Sequence, residues 1–180
     1  QTMIELDTTE NKANLGANAI LSVSLSAARA QAAAEKKPLY QYLTKFNPDF
    51  NGIYTMPIPE MNVMNGGKHA NWATDIQEYM LFPIGAPSVI EAVRMNTEIY
   101  QNLKKILKAK GYAISVGDEG GFAPNVKSNE EPFQLISEAV LKSGYKLGTD
   151  VCFGIDPAAS EFFDNGHYLL KKEGKTLNND

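Results

Sequence analysis

The chain has 180 residues, 43% of them hydrophobic, and can therefore bury a real core; 17 basic against 21 acidic residues leave a net charge of −4. No long block of like charge runs through it, which argues against nucleic acid as a partner. No uncharged apolar stretch approaches the ~18 residues of a membrane span, no basic-then-apolar leader opens the chain, and the single Cys152 has no disulfide partner, features that fit a cytoplasmic, reducing setting.

In chain order, residues 16–36 are rich in alanine, with Leu21, Leu25, Ala28 and Ala32 on one stripe and Pro38 just beyond, a pattern that predicts a buried helix. Turn chemistry in Asn47-Pro48-Asp49 and Asn51-Gly52 places a domain boundary after residue 52. Apolar runs at 56–64 and 76–84 read as strands flanking the glycine-bearing stretch Asn65-Gly66-Gly67-Lys68-His69-Ala70-Asn71-Trp72, although Pro57 and Pro59 weaken the first run because neither can donate to a ladder. Ser88 with Glu91 forms a capping box, Ala92, Met95, Ile99, Leu103 and Ile106 share one face, and Gly111 stops this helix. Residues 112–116 read as a strand. Ser128 or Asn129 caps a further helix through Phe133, Ile136 and Val140, with Pro132 in its first turn, that ends before Gly144. The apolar run 151–155, ending on Asp156, reads as a strand buried on both faces. This βα alternation predicts a parallel sheet in an α/β fold.

The run Gly117-Asp118-Glu119-Gly120-Gly121-Phe122-Ala123-Pro124-Asn125 sets two adjacent carboxylates in a glycine-rich turn after a predicted strand. Taken singly, it reads as an acidic surface turn, Glu78 as a strand-edge carboxylate facing solvent, and Asp156 as a helix-capping residue. Taken together, they mark three successive strand ends, which a parallel barrel would gather on one face. Gly66 and Gly67 suggest a mobile loop carrying Lys68 and His69 over an anionic substrate. His167, in Asp164-Asn165-Gly166-His167, reads as part of a hairpin turn and is given no function.

Several of these segments resemble the enolase family: Asn11-Lys12 with Leu15-Gly16-Ala17-Asn18-Ala19-Ile20-Leu21; Met61-Asn62 through Asn65-Gly66-Gly67 to His69-Ala70; Asp75-Ile76-Gln77-Glu78; the run from Gly117 to Asn125; and Asp156 with Ser160-Glu161-Phe162. The resemblance runs nearly end to end. It implies a partial enolase-type βα (TIM-like) barrel over residues 53–180, preceded over residues 1–52 by the helical tail of the N-terminal capping domain. The implied activity is that of a glycolytic and gluconeogenic lyase, reversible dehydration of 2-phosphoglycerate to phosphoenolpyruvate, with Mg²⁺ as cofactor and a cytoplasmic homodimer, in some members an octamer, as the assembly.

That reaction removes a proton beside a carboxylate and expels a poor leaving group, so it calls for cations and an acid. By resemblance, Glu119 is the acid that helps hydroxide leave, with Glu78 beside it as a catalytic and substrate-contacting group. His69 and Gln77 are substrate contacts, and Asp156 is the first of three carboxylate ligands to Mg²⁺. The family's lysine base, its two further metal ligands and its remaining substrate contacts follow the region ending at Asp180, and a barrel of this kind needs roughly 200 or more residues. The resemblance therefore implies a central segment of an enolase. The alternative is a truncated, catalytically inactive fragment with a binding or vestigial role.

Overall fold

The computed structural model describes residues 1–179, with the side chain of His69 outside the described residues. The chain forms two compact units, Gln1–Thr55 and the remainder from Met56. The first contains helices α1 (Thr2–Asp7), α2 (Ala17–Ala34) and α3 (Leu39–Leu43). Asp7 is fully buried and accepts the Leu15 N–H at 2.6 Å, the Thr9 N–H at 3.1 Å and the Thr9 hydroxyl, drawing the segment between α1 and α2 over the end of α1. Those donors hold its carboxyl below the ordinary aspartate range.

The buried helix expected at 16–36 forms as α2, but only Ala32 within it is buried, while Leu21, Val23 and Leu25 are exposed. The reason is coverage: the short helix α3 packs against α2, and five residues cannot cover eighteen.

In the second unit, β1 (Met61–Asn65), β2 (Glu78–Phe82) and β3 (Cys152–Asp156) form a three-stranded sheet in the order β1-β2-β3. Strand β1 begins only after Pro57 and Pro59, as their missing N–H groups predict. Helix α4 (Val89–Ala109) and helix α5 (Glu131–Lys142) share one core with the sheet through Ile99, Leu103, Leu107, Ile136, Tyr79 and Leu81, all 0% exposed. Ser88 Oγ accepts the Glu91 N–H at 3.2 Å to start α4; the cap expected at Ser128 or Asn129 falls instead at Glu130, which caps α5 with no side-chain bond, while Ser128 Oγ accepts the Glu131 N–H at 3.2 Å. Gly111 (φ 79°) and Gly144 (φ 82°) follow the two helix ends.

The parallel sheet expected from the βα alternation is not what forms. Both pairings, β1 with β2 and β2 with β3, are antiparallel. No crossover helix joins β1 to β2, only the loop 66–77, so the chain returns in the opposite sense. The strand expected at 112–116 has no ladder; Val116 makes an isolated bridge to Phe122, and Phe122 bridges Met64 of β1 in its place. Nor is β3 buried on both faces: it is an outer strand of the described sheet, with Val151 just before it buried and Ile155 48% exposed.

A second sheet follows, made of β4 (Phe163–Asp164), β5 (His167–Leu170) and β6 (Lys175–Leu177), all antiparallel. Asn165 (φ 48°) and Gly166 (φ 85°) both take positive φ between β4 and β5, the conformation of a type I′ turn and of the hairpin read at His167.

A buried polar hub ties this region together. The Asp75 N–H donates to Asn129 Oδ1 at 2.8 Å, Asn129 Nδ2 donates to Asp75 Oδ2 at 2.8 Å, and the Lys172 N–H donates to Asp75 Oδ1 at 3.0 Å. The Asn129 N–H donates to Glu173 Oε1 at 2.7 Å, and the fully buried Tyr79 hydroxyl to Asn129 O at 3.1 Å. Loop 66–77, the start of α5 and the β5–β6 turn thus meet on one carboxylate and one amide. Asn129→Ala removes two hydrogen bonds and leaves the Asp75 carboxylate buried with a lost donor, so we expect a loss of about 2–3 kcal/mol in urea unfolding; a loss under about 0.5 kcal/mol would show the hub to be dispensable.

Candidate active site

Cross-strand register sets the site. Asn65, the last residue of β1, stands opposite Glu78, the first residue of β2, and Glu78 stands opposite Asp156, the last residue of β3. Directly opposed residues project to the same face, so Asn65, Glu78 and Asp156 form a row across one end of the sheet. The Gln77 N–H donates to Asp156 O at 3.1 Å and the Gly66 N–H to Gln77 O at 2.8 Å, extending the pairing past the strand ends. Glu78 therefore opens its strand and does not mark a strand's C-terminal end, as the parallel arrangement required. Antiparallel pairing is what brings the start of β2 beside the end of β3.

Glu119 comes from a tight turn. The Gly120 N–H donates to Gly117 O at 3.0 Å and the Gly117 N–H to Gly121 O at 2.8 Å, with Gly120 at φ 84°. This turn is fastened to β1: the Phe122 N–H donates to Val63 O at 2.9 Å and the Asn65 N–H to Phe122 O at 2.8 Å. The Tyr100 hydroxyl from α4 donates to Gly120 O at 2.8 Å. The approach is too close for side chains: a Cβ on Gly121 would lie 2.1 Å from Asn65 Oδ1, and one on Gly117 3.2 Å from Asn65 Cγ. Asp118 and Glu119, both exposed, form the tip.

Glu119 reaches Glu78. The hydrogen bond between the two carboxyls, followed by partial burial and the negative charges of Glu119, Asp156 and Glu60, pushes the Glu78 carboxyl from about 4.5 up to about 7. Two carboxyls that share a proton at neutral pH form an acid that can donate it. Asp156 uses one oxygen locally: the Ala158 N–H donates to Asp156 Oδ1 at 2.8 Å. This bond closes a local turn and is not the helix cap considered from sequence, since the 3-10 turn Ala159–Glu161 that follows has Ala158 at its N-cap and no side-chain cap.

Loop 66–77 is folded back on itself through Gly67 N–H to Thr74 O (2.9 Å) and Trp72 N–H to Gly67 O (2.7 Å). A Cβ on Gly66 would fall 1.6 Å from Thr74 Oγ1 and 2.3 Å from Ile76 O, so glycine is obligatory there. Gln77 is half-buried at the end of this loop. Lys68 pairs with Glu161 at 3.7 Å. The backbone of His69 lies in the short 3-10 turn Gly67–Ala70, while its side chain lies outside the described residues.

The structure thus brings Glu78, Glu119 and Asp156 together. Sequence reasoning treated Asn65 and Asp75 as parts of longer motifs without roles of their own. The position of Asn65 directly before a glycine pair was the available signal for its close backbone contacts. Among the described residues no group of three or more His, Cys, Asp or Glu is arranged to hold a metal ion. Asp156 fits as a single hard oxygen donor, and the carboxylates that raise Glu78 make an electronegative neighbourhood that suits a divalent cation.

Mixed α/β structure, two helices packed on a sheet that does not close among the described residues, and acidic side chains collected at one end define part of an α/β barrel protein. The sequence matches the family profile described as enolase, C-terminal TIM barrel domain, over residues 53–180, and that of the enolase N-terminal domain over residues 1–43. The chain belongs to the enolase family.

The Glu78–Glu119 pair carries a pH signature. The folded state binds the Glu78 proton more tightly than the unfolded chain, whose value is near 4.5, so its contribution to stability is complete below pH 4.5 and is lost as pH rises through about 7. Carbon-detected titration of the Glu78 carboxyl is expected to give a midpoint near 7, and Glu119→Gln to return it toward the ordinary glutamate range and flatten stability across that window. A midpoint unmoved by Glu119→Gln would remove Glu119 as the cause.

Proposed function

We propose that these residues serve an Mg²⁺-dependent lyase that reversibly dehydrates 2-phosphoglycerate to phosphoenolpyruvate in glycolysis and gluconeogenesis. In this reading, residues 1–52 end a capping domain and residues 53–180 open a catalytic barrel. The protein works in the cytoplasm as a homodimer or larger homo-oligomer. The supporting observation is the gathering of Glu78, Glu119 and Asp156 at one end of the sheet, where the neighbouring Glu119 carboxyl pushes that of Glu78 up to about 7.

Glu119 is assigned as the acid. Once a base has taken the proton from the carbon beside the carboxylate, the electron pair of that bond forms the new carbon–carbon double bond, and the carbon–oxygen bond breaks with its electrons going to oxygen. That oxygen takes the Glu119 proton and leaves as water, and Glu78 takes up part of the charge left on the pair. Glu78 and Gln77 contact the substrate, and His69, on the loop between β1 and β2, is assigned to it as well. Asp156 contributes one oxygen to Mg²⁺, which when bound stabilises the negative charge that develops on the substrate carboxylate.

In an enzyme that completes both enolase domains around these residues, Glu119→Gln is expected to lower kcat for phosphoenolpyruvate formation by roughly 10²–10⁴-fold, followed by absorbance. Unchanged kcat in this variant would sink the assignment. In this reading Glu119 supplies an acid and Asp156 one metal ligand, and among the described residues no group of three or more His, Cys, Asp or Glu is arranged to hold a metal ion. The 180-residue polypeptide by itself is accordingly expected to show no turnover with Mg²⁺ and 2-phosphoglycerate.

A further inference from the structure

Glu119 is exposed and is followed by two glycines, so no Cβ on either side limits rotation of the peptide joining Gly120 to Gly121. The Gly117 N–H to Gly121 O and Gly120 N–H to Gly117 O bonds close the turn, and Phe122 fastens its base to β1. The carbonyl of the rotatable peptide, Gly120 O, takes its bond from another element.

That element is α4. The Tyr100 hydroxyl donates to Gly120 O at 2.8 Å, and the Tyr100 ring stacks on Phe122 with centroids 4.4 Å apart and planes 14° from parallel. Phe122 is 1% exposed and bridges Met64 of β1. Ile99 beside Tyr100 and Leu103 one turn on are both 0% exposed, so core packing holds the helix that carries the phenol. One side chain therefore grips the turn on the C-terminal side of Glu119 at two points, residues 120 and 122.

A phenol suits this task, its flat body lying on one aromatic ring and its hydroxyl standing at the far end. Phenylalanine would keep the stack and leave Gly120 O without that donor. Rotation of the Gly120–Gly121 peptide would then swing the backbone of Glu119, which is joined directly to Gly120. An acid transfers its proton only from within hydrogen-bond reach of the departing oxygen, and a displacement of about 1 Å can cost on the order of 10²-fold in rate.

We propose that Tyr100 is a positioning residue for Glu119: its hydroxyl fixes the Gly120–Gly121 peptide, its stacked ring fixes Phe122, and together they aim the acid at the departing hydroxyl. The inference rests on the lyase reading given above. Because Tyr100 acts through Glu119, it governs turnover and not substrate binding.

The test uses the enzyme completed around these residues. Tyr100→Phe keeps the stacked ring and removes only the hydroxyl; kcat is expected to fall about tenfold while KM for 2-phosphoglycerate stays within about threefold. Amide exchange at Gly117 and Gly120, whose N–H groups close the turn, is expected to quicken about fivefold, as the loss of one neutral hydrogen bond implies. Tyr145→Phe is the control: it removes a hydroxyl that bonds Arg94 and Glu98 on the same helix, and kcat is expected to stay unchanged. In a Glu119→Gln background, Tyr100→Phe is expected to lower kcat no further, because the group it places no longer donates a proton. Wild-type kcat in Tyr100→Phe, unchanged exchange in the turn, an equal loss in Tyr145→Phe, a rise in KM with kcat held, or a full further loss in the Glu119→Gln background each overturns the inference while leaving the lyase reading intact. A wild-type enzyme that does not turn over 2-phosphoglycerate overturns that reading and takes this inference with it.

Discussion

Antiparallel pairing of β2 with both of its neighbours is the constraint on which the site depends. A strand that runs against its neighbours offers its first residue where they offer their last, so Glu78 lies beside Asn65 and Asp156 although many residues separate the three along the chain. Had the pairing slipped by one residue, Tyr79 would have taken the place of Glu78 and the carboxylate would have crossed to the other face. The apolar pattern forbids this, because Tyr79 and Leu81 are fully buried in the core shared with α4 and α5. Hydrophobic burial thus selects the register, and the register selects which polar groups meet.

The second requirement is backbone approach. The turn bearing Glu119 can rest on Asn65 only because Gly117 and Gly121 lack side chains, and loop 66–77 can fold over Gly66 only for the same reason. Like-charged carboxyls brought this close repel one another, and the pair relieves the repulsion by sharing a proton, which is why Glu78 is pushed up to about 7. The Asp75–Asn129 hub does a different job nearby: its buried carboxylate is satisfied by an amide and a backbone N–H and anchors loop 66–77. Two buried or half-buried carboxylates, Asp75 and Glu78, lie three positions apart with different roles because one faces donors and the other faces acceptors.

Local structure was legible in the sequence wherever short-range chemistry decides it. Ser88, Gly111 and Gly144 bound the two long helices of the second unit as their types dictate, the proline pair delays β1, and Asn165-Gly166 makes its turn. Where the expectation failed, a non-local partner was missing from the reasoning. Residues 112–116 have strand composition, yet Phe122, beyond the turn, is the residue that reaches β1; α2 has the stripe of a buried helix, yet Leu21, Val23 and Leu25 on it are exposed.

By itself, then, the sequence determined the helices of the second unit, the glycine-rich turn, the family, and the residue types that could do acid chemistry. Those follow from propensities, caps and motifs that act within a few residues. Tertiary structure alone decided that the sheet is antiparallel, that Glu78 opens its strand, and that the turn bearing Glu119 closes on Asn65. Strand sense and register depend on which apolar faces can be buried together, and side chains from distant segments meet only once that packing is in place.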